Sequence, residues 1–375
     1  MHLSLPIPPK SLKHLNKTHR KYVMQTKIFK IPMDTPDLFA IKECASIIKD
    51  GGLVAFPTET VYGLGASATD ENAAKKIYAA KGRPSDNPLI IHVSSPEDAS
   101  LYAYTNELYE RLAKAFMPGP LTVILKKKDI VPFGVTGGLD TVAVRCPSHP
   151  IALALIDAAG VAIAAPSANL SGSPSPTCGS HVISDLDGAI DAIIDGGECE
   201  IGLESTIVKI EDNKLILLRP GAITADALRC VCEDVKISSA VTEALSKNEK
   251  PLSPGMKYRH YAPAVPLILL EGENDTVMKF LHNAQNAEKC AILCYHEELY
   301  KLRAERIIDI GGESDLQAQA QRLFAALRKV DELDCDVVYA HLPPKDGIGL
   351  ALYNRLIRAA AHTVLHITPK NIKHH

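Results

Sequence analysis

Apolar residues recur along residues 35–219 at two alternating spacings, and they predict helices interleaved with strands. In TPDLFAIKECASIIKDGG, an apolar stripe at helical spacing predicts a first helix that Thr35 caps, Pro36 begins and Gly51 ends. Short apolar runs predict strands at LVAFP, PLIIHV, LTVILKK, TVAVRC, VAIAAPSAN, DAIID, STIVKI and KLILLRP. Helices are predicted at DENAAKKIYAAKG, NELYERLAKAF and HPIALALIDAAG, and a loop at TETVYGLGASA. Because several strands follow one another without a helix, we expect a mixed sheet.

The apolar periodicity fades over residues 233–252, where Ser, Lys and Glu accumulate, as is typical of a connector. After it, strands and helices alternate again as in a small doubly wound unit. We therefore divide this α/β chain into a flexible extension (1–33), a twisted mixed-sheet domain (34–232), a connector (233–264) and a Rossmann-like domain (265–375). No G-x-G-x-x-G follows the first strand of the last domain, which favours a docking or regulatory role over a dinucleotide site.

The composition argues against two classes of protein, membrane-spanning proteins and proteins whose main task is to bind nucleic acid. The chain has 375 residues, 46% of them hydrophobic, without an apolar run long enough to span a bilayer. Residues 1–33 contain seven Lys/Arg and no acid, which leaves 34 basic and 44 acidic residues elsewhere, a balance of −10. An acidic body argues against a protein whose main task is to grip nucleic acid, since that requires a basic face.

The cysteines and the basic leader, residues 1–33, indicate in which compartment of the cell the protein works. Nine cysteines are scattered singly through apolar stretches without a C-x-x-C, which favours buried thiols in a reducing, cytoplasmic compartment over a zinc site. The basic leader lacks a clear apolar core, so it is a poor signal peptide and a weak transit peptide. It is read as a disordered extension or as sequence upstream of a true start at Met24 or Met33.

One candidate anion site follows a predicted helix. In AKGRPSDNPLIIHV, Lys81 and Arg83 stand in the turn before a strand, with Ser85 and Asn87 behind them. A compact and a forked cation together suit a polyphosphate. The alternative is a solvated helix end at which the lysine binds terminal carbonyls.

Other polar residues gather at strand ends and in loops, where α/β proteins build their sites. Ser167 and Asn169 in APSANLSG suit hydrogen bonds to phosphate or ribose, but alone they indicate only a turn. Hydroxyls at strand starts and arginines at strand ends could meet a ligand, or could begin strands and pair with structural carboxylates. These residues are Thr122, Ser205, Thr206, Arg145 and Arg219.

The loop FPTETVYGLGA adds Thr58, Glu59, Thr60 and Tyr62 beside two glycines. The chain contains no G-x-x-x-x-G-K-[ST], no H-E-x-x-H and no G-x-S-x-G. The common nucleotide-loop, zinc-hydrolase and serine-hydrolase chemistries are therefore not indicated.

Nine motifs in order, over residues 35 to 362, resemble one family, the YrdC-type threonylcarbamoyl-AMP synthases in their longer form. They are PTETVYGLG, KGRPSDNPLIIHV, PGPLTVIL, AVRCP, APSANLSG, STIV, LRPGAI, SPGMKYRHYAP and NRLIRAA. The resemblance implies a YrdC-like fold in the first domain. It also implies synthesis of threonylcarbamoyl-adenylate and pyrophosphate from L-threonine, bicarbonate and ATP. Other proteins would then pass the group to the adenosine beside the anticodon of certain tRNAs.

The resemblance also implies roles for individual residues. Lys81 and Arg83 would be catalytic and, with Ser167 and Asn169, would hold the triphosphate. The wider ATP set adds Ser85, Asn87, Thr122, Arg219, Tyr258 and Tyr261. The threonine set is Thr58, His92, Arg145 and Ser205. Magnesium would be held mainly by ATP phosphates, with no metal site of the protein's own.

The segment SPGMKYRHYAP, residues 253–263, places Lys257, Arg259 and His260 among two tyrosines inside the connector. We interpret it as a lid over the nucleotide, stiffened by its prolines and able to bend at Gly255. The alternative is a polar strand that docks the two domains.

Three other functions are weighed against the synthase. Hydrogenase-maturation carbamoyltransferases share the first domain, but they carry an acylphosphatase-like region and cysteine-rich motifs that are missing here. An RNA-binding module conflicts with the acidic body, so direct RNA binding is expected to be weak or absent. A scaffold with a dead site is disfavoured because every polar residue of the motifs is present.

Overall fold

A computed structural model describes residues 25–243, 261–302 and 305–369. The strands of the first domain are β1 (Lys27–Lys30), β2 (Val54–Phe56), β3 (Gly63–Ser67), β4 (Ile90–His92), β5 (Ala103–Tyr104), β6 (Leu121–Lys127), β7 (Thr141–Arg145), β8 (Ile163–Ala165), β9 (Ala192–Asp195), β10 (Thr206–Glu211), β11 (Lys214–Arg219) and β12 (Val235–Ile237). The helices are α1 (Leu38–Lys49), α2 (Glu71–Lys81), α3 (Ala99–Tyr102), α4 (Glu107–Phe116), α5 (Phe133–Thr136), α6 (Pro150–Ala159), α7 (Gly179–Leu186) and α8 (Ala225–Arg229).

These strands form one mixed sheet in the order β1-β9-β2-β3-β8-β4-β7-β6-β10-β11-β12, with β5 beside β6. Parallel pairs such as β4 with β7 alternate with antiparallel pairs such as β4 with β8. Helices α1 and α6 pack apolar residues such as Ile41 and Leu155 onto Phe56 on one face. Helices α2 and α4 cover the other face through Ile77 and Leu112. The expected mixed sheet is confirmed.

Two strands lie outside the predicted limits of the first domain. Strand β1 falls within the predicted 1–33 extension, yet it pairs in parallel with β9, for example Lys27 with Ala192. Strand β12 falls within the predicted 233–264 connector, yet it pairs in parallel with β11. Both segments are short and mostly exposed, so their apolar pattern is weak and does not place them in the first sheet.

Local structure differs from prediction at three further places. Helix α1 begins at Leu38, since the Asp37 side chain accepts the amide hydrogens of Phe39 and Ala40 and so replaces Thr35 as the cap. Strand β3 occupies a predicted loop; it is rich in glycine, and a Cβ on Gly65 would come within 2.8 Å of the Phe56 ring. Helix α7 lies between β8 and β9, where no helix was predicted.

The second domain is a five-stranded parallel sheet in the order β15-β14-β16-β13-β17. Its elements are β13 (Leu267–Glu271), α9 (Asn274–Ala287), β14 (Cys290–Cys294), β15 (Ile307–Asp309), α10 (Leu316–Val330), β16 (Val337–His341), α11 (Gly349–Ala359) and β17 (Val364–His366). Helix α9 covers one face, and α10 and α11 cover the other. The Rossmann-like prediction is confirmed. Among the described residues, no helix is long and apolar enough to cross a membrane.

Candidate active site

A cleft in the first domain, with about 690 Å³ of space not filled by protein atoms, brings most of the predicted site residues together. It lies at the ends of β4, β7 and β11, beside the loops that follow β2 and β8. The predicted residues that line it are Thr58, Lys81, Arg83, His92, Arg145, Ser167, Asn169, Ser205, Arg219 and Tyr261. Ser85, Asn87 and Thr122 do not line it.

Lys81 is the last residue of α2, and Gly82 in the left-handed conformation (φ 62°) ends the helix directly after it. The Lys81 side chain is buried, and its Nζ donates to the Ser167 carbonyl oxygen at 2.5 Å and to the Asn169 carbonyl oxygen. Burial, and next the positive charge of Arg83, hold the Lys81 pKa well below its usual value. The alternative to a phosphate site was that Lys81 binds the terminal carbonyls of its own helix. Lys81 does bind backbone carbonyl oxygens, but they belong to the loop after β8.

Arg83 is also buried, and its guanidinium donates to the carbonyl oxygens of Asn87 and Pro88 at 3.3 and 3.2 Å. The Asn87 backbone therefore fixes Arg83 from behind, while Ser85 is exposed on the turn. A direct ATP contact by Ser85 or Asn87 finds no support in their positions. Lys81 and Arg83 therefore bring an amine and a guanidinium to the cleft, both held in place by backbone carbonyl oxygens.

The loop after β8 forms the wall next to Lys81. Ser167 Oγ donates to Asn169 Oδ1 at 2.5 Å, and Asn169 Nδ2 donates to the carbonyl oxygens of Leu170 and Ser173, each at 2.8 Å. These bonds hold the loop as a compact turn. Gly172 and Ser171 of the same loop also line the cleft.

His92 and Arg145 also line the cleft, and they are neighbours on the paired strands β4 and β7. Arg145 Nη2 lies 2.7 Å from Glu59 Oε1, and both side chains are almost fully buried. The two charges are in contact, but the N–H is not directed at the oxygen, so the contact is an ion pair without a well-formed hydrogen bond. Arg145 fits both of its predicted roles, because it pairs with the structural carboxylate of Glu59 and also lines the cleft, where it could meet a ligand.

His92 is neutral near pH 7 because burial, and next the charge of Arg145, lower its pKa to about 3. Its Nδ1 lies 3.3 Å from the Ile163 carbonyl oxygen. Thr58 is held nearby by a hydrogen bond from its Oγ1 to the Val61 carbonyl oxygen at 2.6 Å, with Thr60 Oγ1 at 2.8 Å. This side of the cleft combines hydroxyls, a neutral imidazole and one guanidinium.

A third group joins Ser205, Thr122 and Arg219. Thr122 Oγ1 lies 2.7 Å from Ser205 Oγ, and Arg219 donates to Ser205 Oγ at 3.1 Å and to the Ser205 carbonyl oxygen at 3.0 Å. Burial lowers the pKa of Arg219 to about 10 despite the opposing charge of Glu204, so the arginine stays charged. Thr122 is fully buried beneath Ser205 and orients it.

Sequence reasoning missed one acidic residue of the cleft, Glu204. Its Oε1 accepts the Ser175 hydroxyl at 2.6 Å, and its Oε2 accepts Arg355 Nε of the second domain at 2.9 Å. Burial acts to raise the pKa of Glu204, but Arg355 and Arg219 together hold it below its usual value. Arg355 lies in the motif NRLIRAA and Glu204 directly precedes the motif STIV, but the two residues stand 151 residues apart.

Tyr261 reaches the cleft from the end of the connector. It is buried, has a positive φ of 65°, and its ring lies 5.1 Å from that of Phe324 in α10. Tyr258 and the other residues of 253–260 lie outside the described residues, so the lid stays a prediction. Within the described ranges, no group of three or more His, Cys, Asp or Glu side chains is placed to hold a metal ion.

Comparison with known proteins assigns both domains. A family model described as "Telomere recombination" (Sua5_yciO_yrdC) matches residues 46–221, and one described as "Threonylcarbamoyl-AMP synthase, C-terminal domain" matches residues 223–361. The threonylcarbamoyl-AMP synthase of Bacillus subtilis is 45% identical over 87% of this chain and 94% of its own length. The chain belongs to the threonylcarbamoyl-AMP synthase family.

Other members of the threonylcarbamoyl-AMP synthase family match this chain over most of its length and share its fold. The Pyrococcus abyssi enzyme is 45% identical over 87% of this chain and 96% of its own length. The crystal structure of P. abyssi Sua5 complexed with L-threonine superposes with a TM-score of 0.85, at 43% identity, and covers 92% of this chain and all of that one. The similarity therefore includes the second domain, and the family resemblance stated from the motifs is confirmed.

Proposed function

We propose that this chain is a threonylcarbamoyl-AMP synthase, which makes threonylcarbamoyl-adenylate and pyrophosphate from L-threonine, bicarbonate and ATP. The observation that carries the proposal is the cleft, which is lined both by the Lys81/Arg83 pair and by the Arg145/His92 pair. A polyphosphate fits the first pair, and an amino acid carboxylate fits the second. Relatives with this activity in their names match the chain over nearly their whole length.

The chemistry requires two bond-forming steps. The threonine amine attacks the bicarbonate carbon, a C–N bond forms, and water leaves to give a carbamate. A carbamate oxygen then attacks the α-phosphorus of ATP, a P–O bond forms, and the bond to the β-phosphate breaks so that pyrophosphate leaves. Negative charge accumulates on the phosphate oxygens in the second step, so fixed cations and positioning suffice without a dedicated base.

Lys81 and Arg83 supply those cations in this proposal. Lys81 donates to the Ser167 carbonyl oxygen, and Arg83 donates to those of Asn87 and Pro88, so both side chains are held in place at the cleft. Ser167 and Asn169 would bind phosphate or ribose oxygens from the adjoining loop. Arg219 and Tyr261 also line the cleft, and they are assigned to the nucleotide by the family resemblance. Magnesium would enter as part of the nucleotide substrate, bound through phosphate oxygens.

Arg145 is proposed to bind the threonine carboxylate. The hydroxyls of Thr58 and Ser205 would read the threonine hydroxyl, and neutral His92 would add a polar contact without a second positive charge. A site that hydrogen-bonds a substrate hydroxyl rejects an isostere that lacks it, because its own polar groups would be left unpaired. Thr122 is assigned an indirect role through Ser205 rather than the ATP contact that the motif suggested.

The product would serve tRNA modification, with other proteins transferring the group to the adenosine beside the anticodon. A reducing cytoplasm is proposed because all nine cysteines are free thiols. Direct contact with RNA is expected to be weak.

The test is pyrophosphate release from ATP in the presence of bicarbonate, with and without L-threonine. The wild type should release pyrophosphate only when threonine is present, and Lys81→Ala should lose about a hundredfold or more in kcat/KM while circular dichroism shows an unchanged fold. Lys49→Ala, at the end of α1, provides a control for loss of one lysine at a helix end. Threonine-independent release by the wild type would contradict the proposal.

A further inference from the structure

The second domain packs against a segment of the first domain, residues 202–205, that leads into the cleft. Gly202 has a φ of 77°, and a Cβ on it would lie 2.4 Å from the Gln321 Cα of helix α10, so the two backbones are in direct contact. Leu203 is buried in the apolar core of the second domain, together with Val61 and Tyr261 of the cleft.

Arg355 of helix α11 binds the next residue of that segment. Its side chain is fully buried. Its Nε donates to Glu204 Oε2 at 2.9 Å, and Nη2 donates to the Glu204 carbonyl oxygen at 3.3 Å. Nη1 donates to the Pro220 carbonyl oxygen at 2.6 Å, directly after Arg219. One guanidinium thus fixes a side chain, the backbone before Ser205, and the backbone after Arg219.

Ser205 depends on this arrangement for its position. Its hydroxyl contacts Thr122 and Arg219, both of which lie in strands of the first sheet, but its backbone follows Glu204 directly. A buried carboxylate that lost Arg355 would have to find water or another donor, and the segment would have to move to allow it.

We infer that Arg355 is a positioning residue of the active site, which sets the place of Ser205 through Glu204 and so makes threonine binding depend on the second domain. This inference rests on the proposed role of Ser205 in binding threonine. It assigns a task to the second domain that its sequence left open between docking and regulation.

The test measures threonine affinity by isothermal titration calorimetry, together with the threonine KM in the pyrophosphate assay. Arg355→Gln should weaken threonine binding about tenfold and raise KM to match, because a displacement of about 1 Å can cost up to about a hundredfold. The ATP KM should change less than the threonine KM. Arg355→Lys keeps the charge and should recover part of the affinity.

The matched control is Arg328→Gln. Arg328 also crosses the domain interface and binds a carboxylate with two nitrogens, Asp185 at 3.0 and 2.8 Å, but it does not touch residues 202–205. Arg328→Gln should also lower the melting temperature, because it leaves the largely buried Asp185 without its partner, while threonine affinity changes less than about twofold. A purely structural role for Arg355 would reduce the amount of active enzyme and therefore Vmax, but it would leave KM and the dissociation constant unchanged.

If Arg355→Gln does not fold, Glu204→Gln and the double variant Glu204→Gln/Arg355→Gln replace it, since the double variant buries no unpaired charge. Both should bind threonine more weakly than the wild type, and the double variant no more weakly than Glu204→Gln, because the two residues act as a unit. Wild-type affinity in a folded Arg355→Gln or double variant would overturn the inference. A wild type that binds threonine without releasing pyrophosphate would instead contradict the synthase proposal, while the affinity comparison would still decide the role of Arg355.

Discussion

His92 should make the stability of the protein sensitive to mild acid. In the unfolded chain its pKa is 6.5, and in the folded protein burial and Arg145 lower it to about 3. Between these values the unfolded state binds a proton that the folded state does not, so the free energy of unfolding falls as the pH falls from 6.5. At pH 5 the loss from this one group is about 2 kcal/mol relative to pH 7.

The perturbation that isolates this contribution is His92→Asn, whose amide nitrogen can take the place of Nδ1 near the Ile163 carbonyl oxygen. Urea unfolding at pH 7 and at pH 5 can be followed by far-ultraviolet circular dichroism, which does not depend on tryptophan, absent from this chain. The variant should lose about 2 kcal/mol less than the wild type between the two pH values. His149 and His181 also have lowered pKa values, but they contribute equally to both proteins.

A second readout is NMR of histidine labelled at the ring carbon, with the His92 signal assigned from the variant. The signal should not titrate between pH 8 and pH 5. A His92 pKa near 6.5, or equal pH dependence of stability in the two proteins, would refute the lowering of the His92 pKa by burial and Arg145.

Three further substitutions test the cleft and its supports. Thr122→Val removes the contact to Ser205 Oγ and should raise the threonine KM about fivefold, near 1 kcal/mol; an unchanged KM would show that Ser205 needs no support from below. Ser205→Ala should reduce the preference of the enzyme for threonine over 2-aminobutyrate, which lacks the hydroxyl, in competition assays. An unchanged preference would contradict a role of Ser205 in recognising the threonine hydroxyl. Gly202→Ala should destabilise the protein by more than about 1 kcal/mol, because φ is positive and the Cβ meets helix α10; a melting temperature equal to the wild type would contradict the close contact.

Much of the cleft could be predicted from the sequence because its residues follow strands or helices with clear apolar patterns. Lys81 and Arg83 flank a glycine at the end of a periodic helix, and Arg145 ends a buried strand. Such positions reach the sheet edge in most α/β arrangements. The motif order then linked them to one family.

The remaining features depend on contacts between distant segments, which periodicity cannot report. Glu59 was visible in its loop, but its pairing with Arg145 follows from the fold, which brings the loop after β2 to the end of β7 although three strands separate β2 from β7 in the sheet. Glu204 and Arg355 stand 151 residues apart, so neither local pattern indicates that they pair. Strand β1 is recognisable only through its partner β9, since β-strand formation depends on the neighbouring strand more than on local propensity.

The most direct measurement of the central claim is mass spectrometry of the product formed from ATP, L-threonine and ¹³C-bicarbonate, with rapid quenching because the adenylate is labile. The account predicts threonylcarbamoyl-adenylate that carries one ¹³C atom, formed in equal amount to pyrophosphate. Pyrophosphate without this labelled adenylate, or an adenylate of unmodified threonine, would contradict it.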